Sequence, residues 1–108
     1  MALETGIWTV SANGSNGDLS ITSVGLNGAL SGTFFSQKII GFWDDAAQKI
    51  TFLREINLAN DPASIQLYTG YRFTDGVTKK PTITGSFVAY EGAAKAQRTD
   101  FGWYATKA

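Results

Sequence analysis

The sequence predicts an all-β fold, an eight-stranded antiparallel up-and-down β-barrel, and three observations lead there. Runs rich in Ile, Val, Thr, Phe, Tyr and Trp alternate with period two, the pattern of half-buried strands. Eight such runs follow one another, separated by clusters of Gly, Asn, Asp and Pro. Helical patterning is nearly missing: Asp45-Ala46-Ala47-Gln48 and Gly92-Ala93-Ala94-Lys95-Ala96 are too short to hold a helix alone and read as turns. Sequential strands joined by short turns make a meander, and closing it into a barrel removes both exposed edges. A β-sandwich without a cavity is the alternative architecture.

The first strand spans Gly6 to Ala12 and ends at Asn13-Gly14-Ser15-Asn16-Gly17, whose Gly and Asn supply the positive φ of tight turns. The second, Asp18 to Val24, closes at Gly25-Leu26-Asn27-Gly28, where Asn-Gly is a hairpin signal. The third runs from Ala29 to Ser36 and the fourth from Lys38 to Asp44, with little more than Gln37 between them. Strand five, Lys49 to Leu58, stops at Asn60-Asp61-Pro62, because proline cannot donate to a ladder. Strand six is Ser64 to Thr74, followed by an Asp75-Gly76 turn; strand seven is Thr82 to Tyr90, and strand eight Arg98 to Lys107.

At 108 residues the chain reads as one domain, 1–108. Lys plus Arg and Asp plus Glu stand at nine each, so no net field steers it toward nucleic acid or an anionic membrane. Cysteine and histidine are absent, which removes disulfides, the usual zinc ligands and the commonest acid–base side chain; no cofactor is expected. No run approaches the roughly 20 apolar residues of a membrane helix, and Met1 to Gly6 lacks a signal-peptide pattern. The serines have no histidine base, and neither a Gly-x-Ser-x-Gly elbow nor a P-loop occurs, so the chain is expected not to be an enzyme. Asn13-Gly14-Ser15 matches a glycosylation sequon, but an Asn-Gly turn accounts for it. Asp44 and Asp45 would face opposite sides of a strand and read as a solvated hairpin end.

Several motifs resemble the avidin and streptavidin family. Gly6-Ile7-Trp8-Thr9 is similar to its opening G-x-W strand, and Gly28-Ala29-Leu30-Ser31-Gly32-Thr33-Phe34 to its G-x-L-x-G-x-Y turn and third strand. Ile40-Gly41-Phe42-Trp43-Asp44 resembles the fourth strand, and Ser64 to Tyr71 the S-x-T-x-W-x-G-x strand. The likeness covers most of the chain in the family's strand order. It implies a secreted avidin-like barrel that binds biotin at its open end and assembles into dimers or tetramers.

Carried over by residue, the resemblance implies a ligand site of Ser15, Phe34, Ser36, Phe52, Ser64, Gln66, Tyr68, Phe87 and Asp100, with Thr99 the alternative on the last strand. Val10 and Phe34 stand where the family places an Asn and a Tyr on the ureido group. The family's lid between strands three and four is nearly absent, and Glu91 to Gln97 contains no tryptophan. Biotin binding is therefore expected to be weak or lost, because unpaired polar ligand atoms cost affinity.

The same alignment sets an inward register of Ile50, Phe52, Arg54, Ile56 and Leu58 on strand five. Arg54 then needs a carboxylate, with Asp100, Asp44 or a neighbour's Glu55 as candidates, or an anionic ligand. Trp8, Trp43, Phe52, Tyr68 and Phe87 read as core or as a stacking platform. Ile65, Leu67, Tyr71, Phe73, Val88, Phe35 and Phe42 fall outward, more apolar surface than a solvated wall carries, which predicts a homo-oligomer. The expected function is a non-enzymatic small-molecule-binding barrel. The alternatives are an oligomeric structural or interaction protein whose cavity is filled by Phe34, Phe52, Phe87 and Arg54, or a carbohydrate-binding barrel.

Overall fold

In the computed structural model, which describes residues 2–55, 65–90 and 98–108, with the backbone alone at 55, 90 and 98–100, eight antiparallel strands close into one barrel. The strands are β1 (Gly6–Ala12), β2 (Ser15–Val24), β3 (Leu30–Phe34), β4 (Gln37–Asp44), β5 (Lys49–Glu55), β6 (Ile65–Thr74), β7 (Pro81–Tyr90) and β8 (Arg98–Lys107). Each pairs with its neighbour in sequence, and β8 returns to β1 from Trp8↔Lys107 to Ala12↔Trp103. This is the up-and-down connectivity the sequence predicts, and no edge is left open.

Two boundaries shift for local reasons. The first turn is only Asn13-Gly14, both at positive φ (49° and 84°), so that Ala12 pairs with Ser15 and β2 starts three residues earlier than expected. Two consecutive positive φ values make the hairpin turn that matches strand twist, and Asn-Gly adopts it at least cost. Between β3 and β4 the connection is Phe35-Ser36, again with both φ positive (48° and 67°). Phe35 is thus a turn residue and not part of the outer wall: its ring meets Phe34 edge-on at 4.7 Å and lies over Gly17, where a Cβ would come within 1.9 Å of it. The expected continuation of strand five through Ile56 and Leu58 lies outside the described residues.

Rows of cross-strand partners fill the barrel in layers. One inward row runs Trp43–Ile50–Gly70–Gly85–Trp103–Ala12. The Trp103 indole occupies the space that a side chain at Gly70 would take, and its Nε1 donates to the Thr69 carbonyl at 3.0 Å. The next row, Gly41–Phe52–Tyr68–Phe87–Phe101, is aromatic at four of five positions. Trp8, Val10, Leu19, Ile21, Phe34 and Ile83 complete the buried core. The N-terminal segment closes one end of the barrel, its base, through buried Leu3 and through Glu4, which is ion-paired with the buried Arg72.

Candidate functional site

The opposite end, where β1 and β3 finish and β2 and β4 begin, forms a mouth. Tyr68 is the centre of its floor: its ring stacks on Phe52 (4.9 Å, 6°) on one side and Phe87 (4.5 Å, 19°) on the other, and Phe101 extends the stack at 5.0 Å from Phe87. Phe34 and Trp103 pack against Tyr68 and Phe52 from the remaining directions, at 4.6 to 5.8 Å. The interior is therefore solid. Above these rings, among the described residues, lies an open cavity of 290 Å³ whose lining includes Asn13, Ser15, Phe35, Arg54, Gln66, Tyr68, Phe87 and Phe101.

The row above the aromatic floor is Ile39–Arg54–Gln66–Ala89–Thr99. Arg54 Nε donates to Gln37 Oε1 at 2.6 Å and Nη1 to Gln66 Oε1 at 3.1 Å. The same Gln66 oxygen accepts from Tyr68 Oη at 2.6 Å. The guanidinium lies over the rings of Phe35 (4.8 Å) and Phe34 (5.5 Å), where the negative ring faces attract it. Burial raises the Tyr68 pKa, and Arg54 partly opposes that rise, so the phenol stays protonated at neutral pH and serves as a donor. Among the described residues no carboxylate faces Arg54, and no three metal-binding side chains converge.

Four of the residues implied by the resemblance come together in the cavity: Ser15, Gln66, Tyr68 and Phe87. Phe34 and Phe52 are fully buried beneath it and shape the floor. Ser36 is exposed in the β3–β4 turn and does not line the cavity. Ser64 lies outside the described residues. Of Asp100 only the backbone is described, and it pairs with Val88, whereas Thr99 shares the row of Arg54 and Gln66. Asp44 is excluded as a partner of Arg54, because it sits at the base, where its Oδ1 accepts from Ala47 N at 3.2 Å in the hairpin turn.

A second inward arginine, Arg72, is buried and ion-paired. Its Nε donates to Glu4 Oε1 at 2.8 Å and its Nη2 to Glu4 Oε2, while Trp8 Nε1 donates to the Glu4 carbonyl at 3.0 Å. Alternation along Gln66, Tyr68, Gly70 and Arg72 already places Arg72 inward, but nothing in the sequence points to Glu4 across so many strands. Gln37, Asn13 and Phe101 are likewise site residues that only the closed barrel brings to the mouth.

A larger open groove of 660 Å³ lies at the base between Ala2, Leu3, the β2–β3 turn and Trp43 to Asp45. Its wall carries the exposed Leu26 and the Trp43 Nε1–Asp45 bond (3.0 Å), with no convergent set of donors comparable to that at the mouth. The mouth is therefore the better candidate.

Fold and site together define a closed eight-stranded antiparallel barrel with a packed interior and one shallow, donor-lined mouth. Comparison with protein-family models, with curated proteins and with solved structures gives no match.

Proposed function

We propose that the protein is a non-enzymatic barrel that binds a small molecule in its mouth, above the packed interior, with biotin binding weak or lost. The observation that carries this reading is the 290 Å³ cavity floored by Tyr68 and Phe87 and rimmed by Arg54, Gln66 and Ser15. An apolar floor with a few convergent polar groups is the usual form of a ligand site, and its volume, near the lower end of the usual range of roughly 300–1,000 Å³, suits a small ligand. Arg54, Gln66 and Tyr68 are held in place by hydrogen bonds to one another and to Gln37 while donors are left over, an arrangement that suits holding a ligand. The avidin-type resemblance fits the barrel, but the positions that would face biotin's ureido group, Val10 and Phe34, are buried in apolar packing.

A second reading, an oligomeric interaction protein, is favoured by the outer wall. The outward row Ile40–Leu53–Leu67–Val88 is apolar across four strands, with the exposed Phe42 beside it. Assembly of two or more copies through this wall is compatible with a ligand at the mouth. The two readings separate in a thermal-shift screen of biotin and a panel of small aromatic and sugar fragments, since a ligand that binds only the folded state raises its melting temperature. A shift lost on replacing Gln66 by Ala supports the mouth as a site; no shift with any fragment leaves the structural reading.

A further inference from the structure

We propose that Arg54 is an anion anchor and that the ligand of the mouth carries a carboxylate on a flat apolar group. This rests on the small-molecule reading above and names its chemistry.

A guanidinium has five N–H donors in a fixed plane and no acceptor. Arg54 spends Nε–H on Gln37 and one Nη1–H on Gln66. The remaining Nη1–H and the two Nη2–H groups have no acceptor among the described residues, and together they form the edge that matches the two oxygens of a carboxylate. The neighbouring polar groups reinforce that preference. Gln66 Oε1 is already taken by Arg54 and Tyr68, so what Gln66 can still offer is its NH2 group, again a donor. Among the described residues, Arg54 and Gln66 thus both turn donors to the mouth, which favours an anion over a cation.

The guanidinium is also held ready. Gln37 and Gln66 fix its plane from two sides, and the Phe34 and Phe35 rings support its face. Little side-chain freedom is left to lose when an anion binds, so the usual entropic cost of ordering an arginine is reduced. The Tyr68, Phe87 and Phe101 rings, stacked in a row, line the same cavity beside it as an apolar floor. A ligand that joins a carboxylate directly to a ring or an unsaturated group satisfies both halves at once.

The test is titration of the 15N-labelled chain with benzoate, its neutral isostere benzamide, and phenyl phosphate, followed by NMR at the Arg54 Nε–H and Gln66 NH2 resonances. Benzoate is expected to move both resonances and to bind at least about tenfold more tightly than benzamide, the factor expected of one charge-assisted hydrogen bond. Added salt should weaken it, and Arg54→Met should abolish the preference while the melting transition persists. Should Arg54→Met fail to fold, Arg54→Lys serves: it keeps the charge, loses the planar fork and is expected to lose most of the preference. Equal binding of benzoate and benzamide, with the same resonances moving, overturns the carboxylate assignment and leaves the small-molecule reading standing. A tenfold preference for phenyl phosphate over benzoate overturns it in favour of a phosphate ligand. No movement of any mouth resonance with any of the three probes at millimolar concentration overturns both.

Discussion

Glu4 and Arg72, 68 positions apart in the chain, meet in a two-pronged ion pair that fastens the N-terminal segment across the base of the barrel. Arg72 is almost wholly buried, whereas the Glu4 side chain keeps about a third of its surface (32 %). The Arg72 hydrogen bonds hold the Glu4 carboxyl below its ordinary value of 4.5, against a burial effect that raises it. A carboxylate with a depressed folded pKa contributes stability above its unfolded value and loses it as pH falls through the folded value. The melting temperature is therefore expected to be level with respect to Glu4 above pH 4.5 and to fall in more acid solution. Glu4→Gln should remove this share of the acid dependence, leaving that of Asp45 and Asp75, whose carboxyls are also lowered by hydrogen bonds. Melting curves between pH 2 and 7 that superimpose in shape for the two proteins would count against the latch.

The two ends of the pair should respond unequally to deletion. Glu4→Ala strands a buried guanidinium that cannot deprotonate and is expected to cost about 1–3 kcal/mol, below the usual figure for a fully buried pair because Glu4 is partly solvated. Arg72→Met leaves a carboxylate that can reach water or take a proton, and should cost less. Urea unfolding of both variants checks the order, and a reversed order would show that the packing of the Arg72 stem outweighs its charge.

The outer row Ile40–Leu53–Leu67–Val88 predicts self-association. Light scattering at micromolar concentration is expected to give a dimer or tetramer of the 11.6 kDa chain. Leu53→Glu, which puts a charge in the middle of that row, is expected to yield monomers that remain folded. A monomer from the unaltered chain removes this interface.

Biotin is expected to bind weakly if at all, and calorimetry showing nanomolar affinity would contradict this. Installing the family's polar pair by Val10→Asn and Phe34→Tyr should destabilise the protein and not create a site. Phe34 is enclosed by Phe35, Phe52, Tyr68 and Trp103, so an added hydroxyl and amide would be buried in apolar packing. A loss of about 2–4 kcal/mol is expected from overpacking and unpaired polar atoms. Retained stability together with a gain in biotin affinity would show that the interior can open.

Ser36 holds φ at 67° in the β3–β4 turn, a conformation that costs side-chain-bearing residues. Ser36→Gly is expected to raise stability by up to about 1 kcal/mol, the relief of strain being partly offset by a more flexible unfolded chain. Because Ser36 does not line the cavity, ligand binding at the mouth should be unaffected. A drop in both stability and binding would assign Ser36 a contact with the ligand.

Most of the architecture was legible in the sequence. Alternation and turn residues place all eight strands within a few residues, and the inward register of Ile50, Phe52 and Arg54 is the one that the avidin-type alignment implies. These features are local: strand propensity, Asn-Gly turns and alternating faces depend on near neighbours, so the chain itself determined an all-β meander and its inner face. The tertiary structure decided the rest. Whether the cavity is open depended on how four aromatic rings from β5, β6, β7 and β8 meet Phe34 and Trp103, which is a matter of volume across strands distant in sequence. That Glu4 pairs with Arg72 depended on the N-terminal segment crossing the base, and among the described residues Arg54 is held by two amide oxygens. Phe35 was moved from the wall to the mouth by a two-residue connection at positive φ, where its ring packs on Phe34 and over Gly17. Alternation fixes the face a side chain takes, but only closure of the barrel fixes what it meets there.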